Sequence, residues 1–561
     1  MQNRGCPQGS CAGPDLWTLT FNQILAAQWP AHTSTYAYAD DVAFIVRGKT
    51  REELQRHAQE TCNLFSTLCL NINLQISEDK SFILLIPKKG GSLARRPRID
   101  INNKRIKIVR QLKYLGIVFD DKLNWAQHLL HIKKKTYNIA YRLRQMSGFQ
   151  WGLNPHIQKL LYQTVIVPIV TYGAAVWSQP MQGRKVRSLQ SIQRSFLLNI
   201  SKAFRTTSTS ALQVITGLLP LHLRTEQEGA RQLLKLLNQQ VTFYGEHYSP
   251  EDYERPYNRL RLHPAAYGLG VHVTLRESTQ LPDGDYYIYT DGSKIEDNTG
   301  CAFAVFHHGT LLHQWKAHLH GHNSVFQGEA FAIVNATKYI LEHQILNCCI
   351  VTDSQSVLAA AMNPVHPSII ISQLQELLRL GAHLNIQMFW TRAHMGTIGN
   401  ELADELAKQA AMNDDAINSP LAWPISHFLR KLHLQSVMQW QVLWDAEDTG
   451  RRAHYHLGYV DETRLLANSQ LVRYVTGHGP FPVYFARFNI TSTDQCVCGQ
   501  AGTPEHYVSS CELTRELHIP FPAQHQQAFS KFLIKQRHLV RKLTAIMSKL
   551  MHLGTDLCQP V

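Results

Sequence analysis

Between residues 285 and 412 the chain repeats one arrangement, an apolar strand-forming run that stops on an acid. YYIYTDGSK ends its strand on Asp291, with a glycine turn after it, and CCIVTDSQSVL ends a second strand on Asp353 and starts a helix at Ser354. Between them, QGEAFAIVNATKYILEH has helical periodicity with Glu329 in its first turn. After them, NIQMFWTRAH reads as a strand and loop, and GNELADELAKQAA as a helix carrying Asp404. The order is strand, strand, strand, helix, strand, helix, strand, helix, which predicts a mixed α/β sheet flanked by helices. Four acids at strand ends and helix starts then converge on one sheet edge.

Taken singly, Asp291 has the ordinary reading of a turn residue, Glu329 of a helix N-terminal charge and Asp404 of a solvated helix face. Together they make a cluster that repels itself unless it holds cations. Two divalent ions about 4 Å apart need such a cluster for in-line phosphoryl displacement. Magnesium is the natural ion for an all-oxygen site. The motifs TDGSK, the GEA helix, TDSQSVL and AHMGTIGNELADELAKQA resemble ribonuclease H in order and spacing. The resemblance implies that Asp291, Glu329, Asp353 and Asp404 bind two Mg2+ and that the substrate is an RNA–DNA hybrid. It also implies that His394 assists proton transfer or product release from a loop made flexible by Gly396 and Gly399, with Asn400 and Glu401 shaping the helix start. The two rivals are a non-enzymatic nucleic-acid-binding remnant and a part active only within a full-length Pol protein.

The first half holds a second acidic feature. In TYAYADDVAFIV, Asp40 and Asp41 stand side by side in an apolar run. Burying such a pair is costly without a cation. Both can approach one metal pair only near a tight turn, so Tyr36 to Asp40 and Val42 to Val46 are expected to be the strands of a hairpin. Upstream, GCPQGS makes a glycine-rich turn before a helix. With LQISEDKSFILLI, LKYLGIVFDDKLNWAQHL and IVPIVTYGAAVW, these motifs resemble the reverse transcriptases of non-LTR retrotransposons of the jockey and I type. The resemblance makes Asp40 and Asp41 residual polymerase metal ligands, and places Gln8, Gly9 and Lys80 near template and nucleotide. The polymerase site needs a further aspartate upstream of GCPQGS, which here begins at Gly5. The expectation is therefore the C-terminal part of a longer reading frame, or a decayed copy, without polymerase activity of its own.

The formal net charge is +14, and it is uneven. From Lys122 to Thr225 there is no Asp or Glu, while Lys133, Lys134, Lys135, Arg184, Lys185 and Arg187 are among its cations. Tyr137, Tyr141, Trp151, Tyr162 and Trp177 interleave them, so this stretch is expected to contact nucleic acid: the hybrid, retroelement RNA and target DNA. Near the C-terminus, Cys496, Cys498, His506 and Cys511 have a donor set suited to structural zinc and a spacing tighter than the usual two-residue gap. Similar knuckles occur in these retroelements, where they would hold template RNA or organise the C-terminus.

The expected organisation is α/β and α+β multidomain. It runs as a partial polymerase palm (1–124), a basic helical thumb or connection (125–230), a linker (231–283), the ribonuclease H-like domain (284–412), a helical connector (413–490), a zinc-knuckle-like segment (491–520) and a basic helical tail (521–561). Nothing in the sequence reads as a signal peptide or membrane span, and scattered cysteines argue against a secreted disulfide framework, so an intracellular place in nucleus or cytoplasm is expected.

Overall fold

The computed structural model describes residues 9–88, 95–148, 151–255, 267–276, 281–392, 397–412 and 416–558. They fall into two units, Met1–Arg142 and Leu143–Val561.

In the first unit, helix α1 (Gly13–Leu25) precedes the antiparallel hairpin β1 (Thr33–Tyr38) and β2 (Asp41–Val46), and helix α2 (Arg51–Asn71) follows. Helix α2 starts where it does because Thr50 Oγ1 accepts from Glu53 N at 3.1 Å, while the Glu53 carboxylate accepts from Lys49 N at 2.8 Å. Two orphan amides are thereby satisfied. Phe21, Ile24, Phe65 and Cys69 form the core under the hairpin, joined by Ile99 and Ile101. The hairpin differs from expectation by its turn. Tyr38 pairs with Asp41, so Ala39 (φ 52°) and Asp40 are the two turn residues, and Asp41 opens β2.

In the second unit, helices α3 (Arg184–Ser201), α4 (Thr209–Thr216) and α5 (Leu221–Lys235) precede a seven-stranded sheet. Its strands are β3 (His272–Thr274), β4 (Tyr286–Ile295), β5 (Asn298–His307), β6 (Thr310–Leu319), β7 (Cys348–Thr352), β8 (Ile386–Trp390) and β9 (Ile417–Asn418), in spatial order β3-β8-β7-β4-β5-β6-β9. Strands β4, β5 and β6 meander antiparallel, whereas β7 and β8 run parallel to β4. Helices α6 (Val325–Glu342), α7 (Gln355–Met362), α8 (Ile369–Leu380) and α9 (Ile398–Ala411) complete this domain. Tyr289 packs against Gly399 of α9, and Gly292 against Glu329 of α6. Residues 289 and 292 point to opposite faces of a strand, so α6 and α9 cover opposite faces of the sheet.

The segment expected as a linker is partly built into this body. Val241–Phe243 and Glu246–Tyr248 pair as a hairpin whose Val241, Phe243 and Tyr248 pack with Phe428 and Leu432, and β3 becomes an edge strand of the sheet. A similar difference holds at the C-terminus. Helix α10 (Ile425–Ala446), α11 (Ser469–Thr476), α12 (Pro504–Ser509) and α13 (Arg537–Leu553) share one core with α4. It joins Val214 and Ile215 to Trp440, Trp444, Tyr474, Cys496, Tyr507, Leu543 and Leu550. The expected tail is thus a packed helix: apolar residues on one face of α13 found a partner the sequence pattern does not name. Among the described residues, no helix is long and apolar enough to cross a membrane.

Candidate ribonuclease site and Cys/His centre

Asp291 does not end its strand. Strand β4 runs on through Ile295, so Gly292 is an in-strand residue and not a turn. The neighbouring strand β7 is the one that stops. Thr290 pairs with Thr352, and the next residues along the two parallel strands are Asp291 and Asp353. Strand register alone therefore puts two carboxylates at adjacent positions where the sheet edge opens. The backbone at Asp353 is fixed by its carbonyl, which accepts from Trp390 Nε1 at 3.0 Å and from Gln355 N at 3.1 Å.

Glu329 arrives from α6. That helix starts at Val325 with a capping box, Ser324 against Gln327, so Glu329 lies in the second turn and not the first. A β-carbon on Gly292 would collide with the Glu329 backbone and stand 2.8 Å from its Cγ. The glycine of TDG is needed for that close approach. Asp404 comes from α9, which packs close to β5 because Gly300 leaves room for Ala407 and Ala411.

The four carboxylates act on one another. Asp291 is buried, and its carboxyl is pushed up to about 7 by burial first, then by the negative charges of Asp353, Asp404 and Glu329. Glu329 is also pushed up to about 7, by burial and by Asp353, against a hydrogen bond from Ser354 that favours its charged form. An all-carboxylate set whose members repel one another suits a hard divalent cation, although among the described residues the Cys/His set alone has its donor atoms all within 4.8 Å of one another. Part of the carboxylates' repulsion is relieved by a lysine: Lys408 Nζ lies 2.7 Å from Asp404 Oδ2.

Ser354 and Lys408 are the residues that sequence reasoning missed. Ser354 donates its hydroxyl to Glu329 and also caps α7 by accepting from Val357 N at 3.4 Å. Its signal was the serine directly after the strand-ending aspartate. The signal for Lys408 was its i+4 spacing from Asp404. Ser354→Ala is expected to lower stability by about 1 kcal/mol through the lost cap, and to lower cleavage activity by releasing Glu329. Unchanged activity at unchanged metal affinity would remove Ser354 from the site.

His394 and Gly396 lie outside the described residues. Gly399 is not a loop residue: it sits in α9, where a β-carbon would run into the Tyr289 ring, so its role is packing. Asn400 and Glu401 lie in the first turn of α9, where their backbone N–H groups donate to Thr397 O at 2.9 and 3.0 Å, as any residue there would.

Residues 283–412 match the RNase H family, and residues 1–119 match the reverse transcriptase (RNA-dependent DNA polymerase) family. A putative 115 kDa protein in the type-1 retrotransposable element R1DM of Drosophila melanogaster is 30% identical over 261 residues, 46% of this chain and 25% of the relative. A retrovirus-related Pol polyprotein from the type-1 retrotransposable element R1 2 of Nasonia vitripennis is 32% identical over 38% of this chain and 54% of its own length. The RNA-directed DNA polymerase from the mobile element jockey of Drosophila melanogaster is 26% identical over 33% of this chain and 21% of its own length. The homologues are R1- and jockey-type non-LTR retrotransposon Pol proteins. The chain spans less than two thirds of the length of each of these three relatives.

In this ribonuclease H and reverse transcriptase setting the other sequence-derived residues can be placed. Asp40 and Asp41 are exposed at the hairpin turn, so the burial cost read from the apolar run does not arise. The apolar neighbours serve the hairpin's other face, where Ala37, Val42 and Phe44 meet the core. Gly9 (φ 90°) adopts a backbone that favours glycine, and Lys80 is exposed. Gln8 lies outside the described residues.

Of the basic residues, Lys133, Lys134, Lys135, Arg184 and Arg187 are exposed. Lys185 is not free for phosphate. Its Nζ donates to the carbonyls of Trp177 at 2.7 Å, Ser178 at 3.3 Å and Gln179 at 3.1 Å. Lys159, Arg194 and Lys202 likewise donate to main-chain carbonyls. Part of the acid-free run thus consists of cations whose partners are backbone oxygens, which composition cannot distinguish from a phosphate-binding face. Among the aromatics, Tyr137, Tyr141 and Trp151 are exposed, whereas Tyr162 and Trp177 are core residues.

Cys496, Cys498, His506 and Cys511 come together, with one ligand atom of each within 4.8 Å of all the others. Cys496 Sγ stands 3.8 Å from Cys511 Sγ, and Cys498 Sγ 3.2 Å from His506 Nε2. The other imidazole nitrogen, Nδ1, is 3.1 Å from Ser510 Oγ, which fixes the ring with Nε2 towards the thiols. Cys511 is buried, and its thiol is pushed up by burial and by Cys496. Three sulfurs and one imidazole at these separations fit tetrahedral zinc. The cluster is no free-standing knuckle. Cys496 and Cys511 belong to the shared helical core, and the backbone at Cys496 pairs antiparallel with that at Cys558 beyond α13, both thiols being free.

Proposed function

We infer that the chain is a magnesium-dependent ribonuclease H that cuts the RNA strand of RNA–DNA hybrids for a retrotransposon, leaving 5′-phosphate and 3′-hydroxyl ends. The observation that carries this reading is the strand register that puts Asp291 and Asp353 at adjacent positions, with Asp353, Asp404 and Glu329 all raising the buried Asp291 carboxyl. Two Mg2+ held by these four carboxylates would supply an activated water and stabilise the leaving oxygen. The chain's own residues do the rest. Strand register fixes Asp291 beside Asp353, Ser354 orients Glu329, and Lys408 neutralises Asp404 until a cation competes for it. The wide minor groove and 2′-hydroxyls of a hybrid would be read by shape. Exposed Lys133, Lys134, Lys135, Arg184 and Arg187 would track phosphates of retroelement RNA and target DNA, and so make affinity salt-dependent. The Cys/His centre holds zinc in this reading and ties α12 to the chain end after α13, which favours organising the C-terminus over gripping RNA. Cleavage of a labelled hybrid by wild type and by Asp353→Asn tests the ribonuclease reading; a chain that binds hybrids without cutting them is the non-enzymatic remnant.

The raised carboxyls give a pH signature. Asp291 and Glu329 sit near 7 when folded, well above the ordinary carboxylate range. Between those values these two groups bind more protons in the folded domain than in the unfolded chain, so their contribution to stability falls as pH rises through that window. His222, His427, His456 and His478, which desolvation pushes down to about 4, contribute with the opposite sign. The carboxyl contribution is isolated by Mg2+, which should raise the melting temperature far more at pH 8 than at pH 5, about the window between ordinary and raised values. A melting temperature indifferent to Mg2+ across that range would contradict a shared metal site.

A further inference from the structure

A cavity of about 930 Å3 lies between α3, α4, α10 and the residues after α11. Nothing in the ribonuclease or polymerase reading uses it. One wall is the hydroxyl run Thr206–Ser210, which leads into the N-terminus of α4, an eight-residue helix. Ser208 Oγ caps this helix by accepting from Ala211 N at 3.3 Å; the other first-turn amides have no intrahelical partner, and the dipole favours an anion there.

The second observation is independent of that helix end. Thr207 is 2% exposed and lines the cavity, yet its hydroxyl has no hydrogen-bond partner. His222, 8% exposed, lines the same cavity with Nδ1 equally unpartnered. Buried polar atoms are rarely left so, because each costs about 1–3 kcal/mol. Two on one cavity are satisfied together by a single hydrogen-bonding occupant. The charge of the lining says which kind. Arg194, Arg451, Arg452 and Arg487 line it, against Glu447 and Asp448. Arg452 is paired with Glu505 Oε1 at 2.6 Å, and Arg451 donates to the carbonyls of Asp445 and Glu447. Arg194 is held in place by Thr209 Oγ1 at 2.9 Å, with its second arm on the Arg205 carbonyl. Arg487 is therefore the guanidinium left for an anion; it is exposed, 5.7 Å from the centre of the Phe488 ring.

We propose that this cavity binds a phosphate group of a single nucleic-acid strand, with Thr207, His222 and Arg487 as its contacts at the start of α4. Its size suits a short stretch of a flexible strand and excludes a duplex. It is a site separate from the four carboxylates, and it rests on the reading of the chain as a nucleic-acid-processing protein. The same phosphate chemistry could come from inorganic phosphate, so the test must separate the two.

Binding of a labelled single RNA strand to the full chain is measured by fluorescence anisotropy against salt, for wild type, Thr207→Val, Arg487→Gln and, as a distant control, Arg541→Gln. Both cavity variants should weaken binding. Arg487→Gln should also flatten the slope of log affinity against log salt by about 0.7, the value for one lost phosphate contact on a single strand. Thr207→Val should melt at a higher temperature than wild type, since it removes a partnerless buried hydroxyl without changing shape. A residue needed only for folding would move the other way. Affinity unchanged in both variants, or lowered equally by Arg541→Gln, overturns the proposal. So does competition by millimolar inorganic phosphate that displaces nothing while the variants still bind normally; displacement of the strand from wild type alone supports it. Hybrid cleavage by the same wild-type preparation is read alongside. Its absence counts against the ribonuclease and leaves the strand-binding result standing.

Discussion

Asp353→Asn is expected to reduce Mg2+-dependent cleavage of the RNA strand by about a thousandfold, ~4 kcal/mol of transition-state stabilisation. The substitution keeps shape and removes charge. The backbone that carries residue 353 is held by Trp390 Nε1 and by Gln355 N, neither of which depends on the carboxylate. The fold should therefore survive. Asp353 has the largest effect of any charge on Asp291 and is a cause of the raised Glu329 carboxyl, so its loss lets both ionise at less cost. Lost cleavage with the folded state retained is a result that simple misfolding cannot produce. Cleavage at wild-type rate would defeat the ribonuclease assignment. Lost cleavage with a lowered melting temperature would mean that Asp353 is a structural residue.

Cys511→Ser should abolish stoichiometric zinc and destabilise the second unit by several kcal/mol, since metal binding energy at such a site is folding energy. Cys511 is fully buried in the core that also contains Tyr474, Tyr507, Leu543 and Leu550, so the loss should spread through α11, α12 and α13. Differential scanning calorimetry with metal analysis measures it. A chelator should lower the melting temperature of wild type and leave that of the variant unchanged. Wild-type protein that is metal-free and melts as the zinc-loaded sample does would show that the four residues are ordinary core thiols beside a histidine. Cys498→Ser should be milder, because Cys498 is the exposed member of the set.

How far these sites were legible follows from how local their causes are. The alternation of strands and helices around Asp291, Glu329, Asp353 and Asp404 could be read because each acid sits next to its own structural signal: an apolar run, or a helix of matching periodicity. Cys496, Cys498, His506 and Cys511 could be read as a set because their spacing is short. The hairpin at Asp40 was placed correctly in kind and up to three residues off at its strand ends, because a two-residue turn is set by cross-strand pairing that neighbouring residues report weakly.

What the sequence did not carry is mostly long-range. That Lys159 and Lys202 serve carbonyls and that α13 fills a core begun by α4 depend on segments far apart in the chain; that Lys185 serves the carbonyls of Trp177, Ser178 and Gln179 depends on how the chain folds back just before its helix. The sequence by itself determined which chemistry this protein can hold: its four acids, its zinc-type donors and its excess of cations. The tertiary structure decided which of them meet. It set Asp291 beside Asp353 through the register of β4 and β7, pushed the Asp291 and Glu329 carboxyls up by burial, and turned half-legible basic residues into half-buried props or exposed cations. Charge is a property of residues, whereas the field that shifts it is a property of how they are packed.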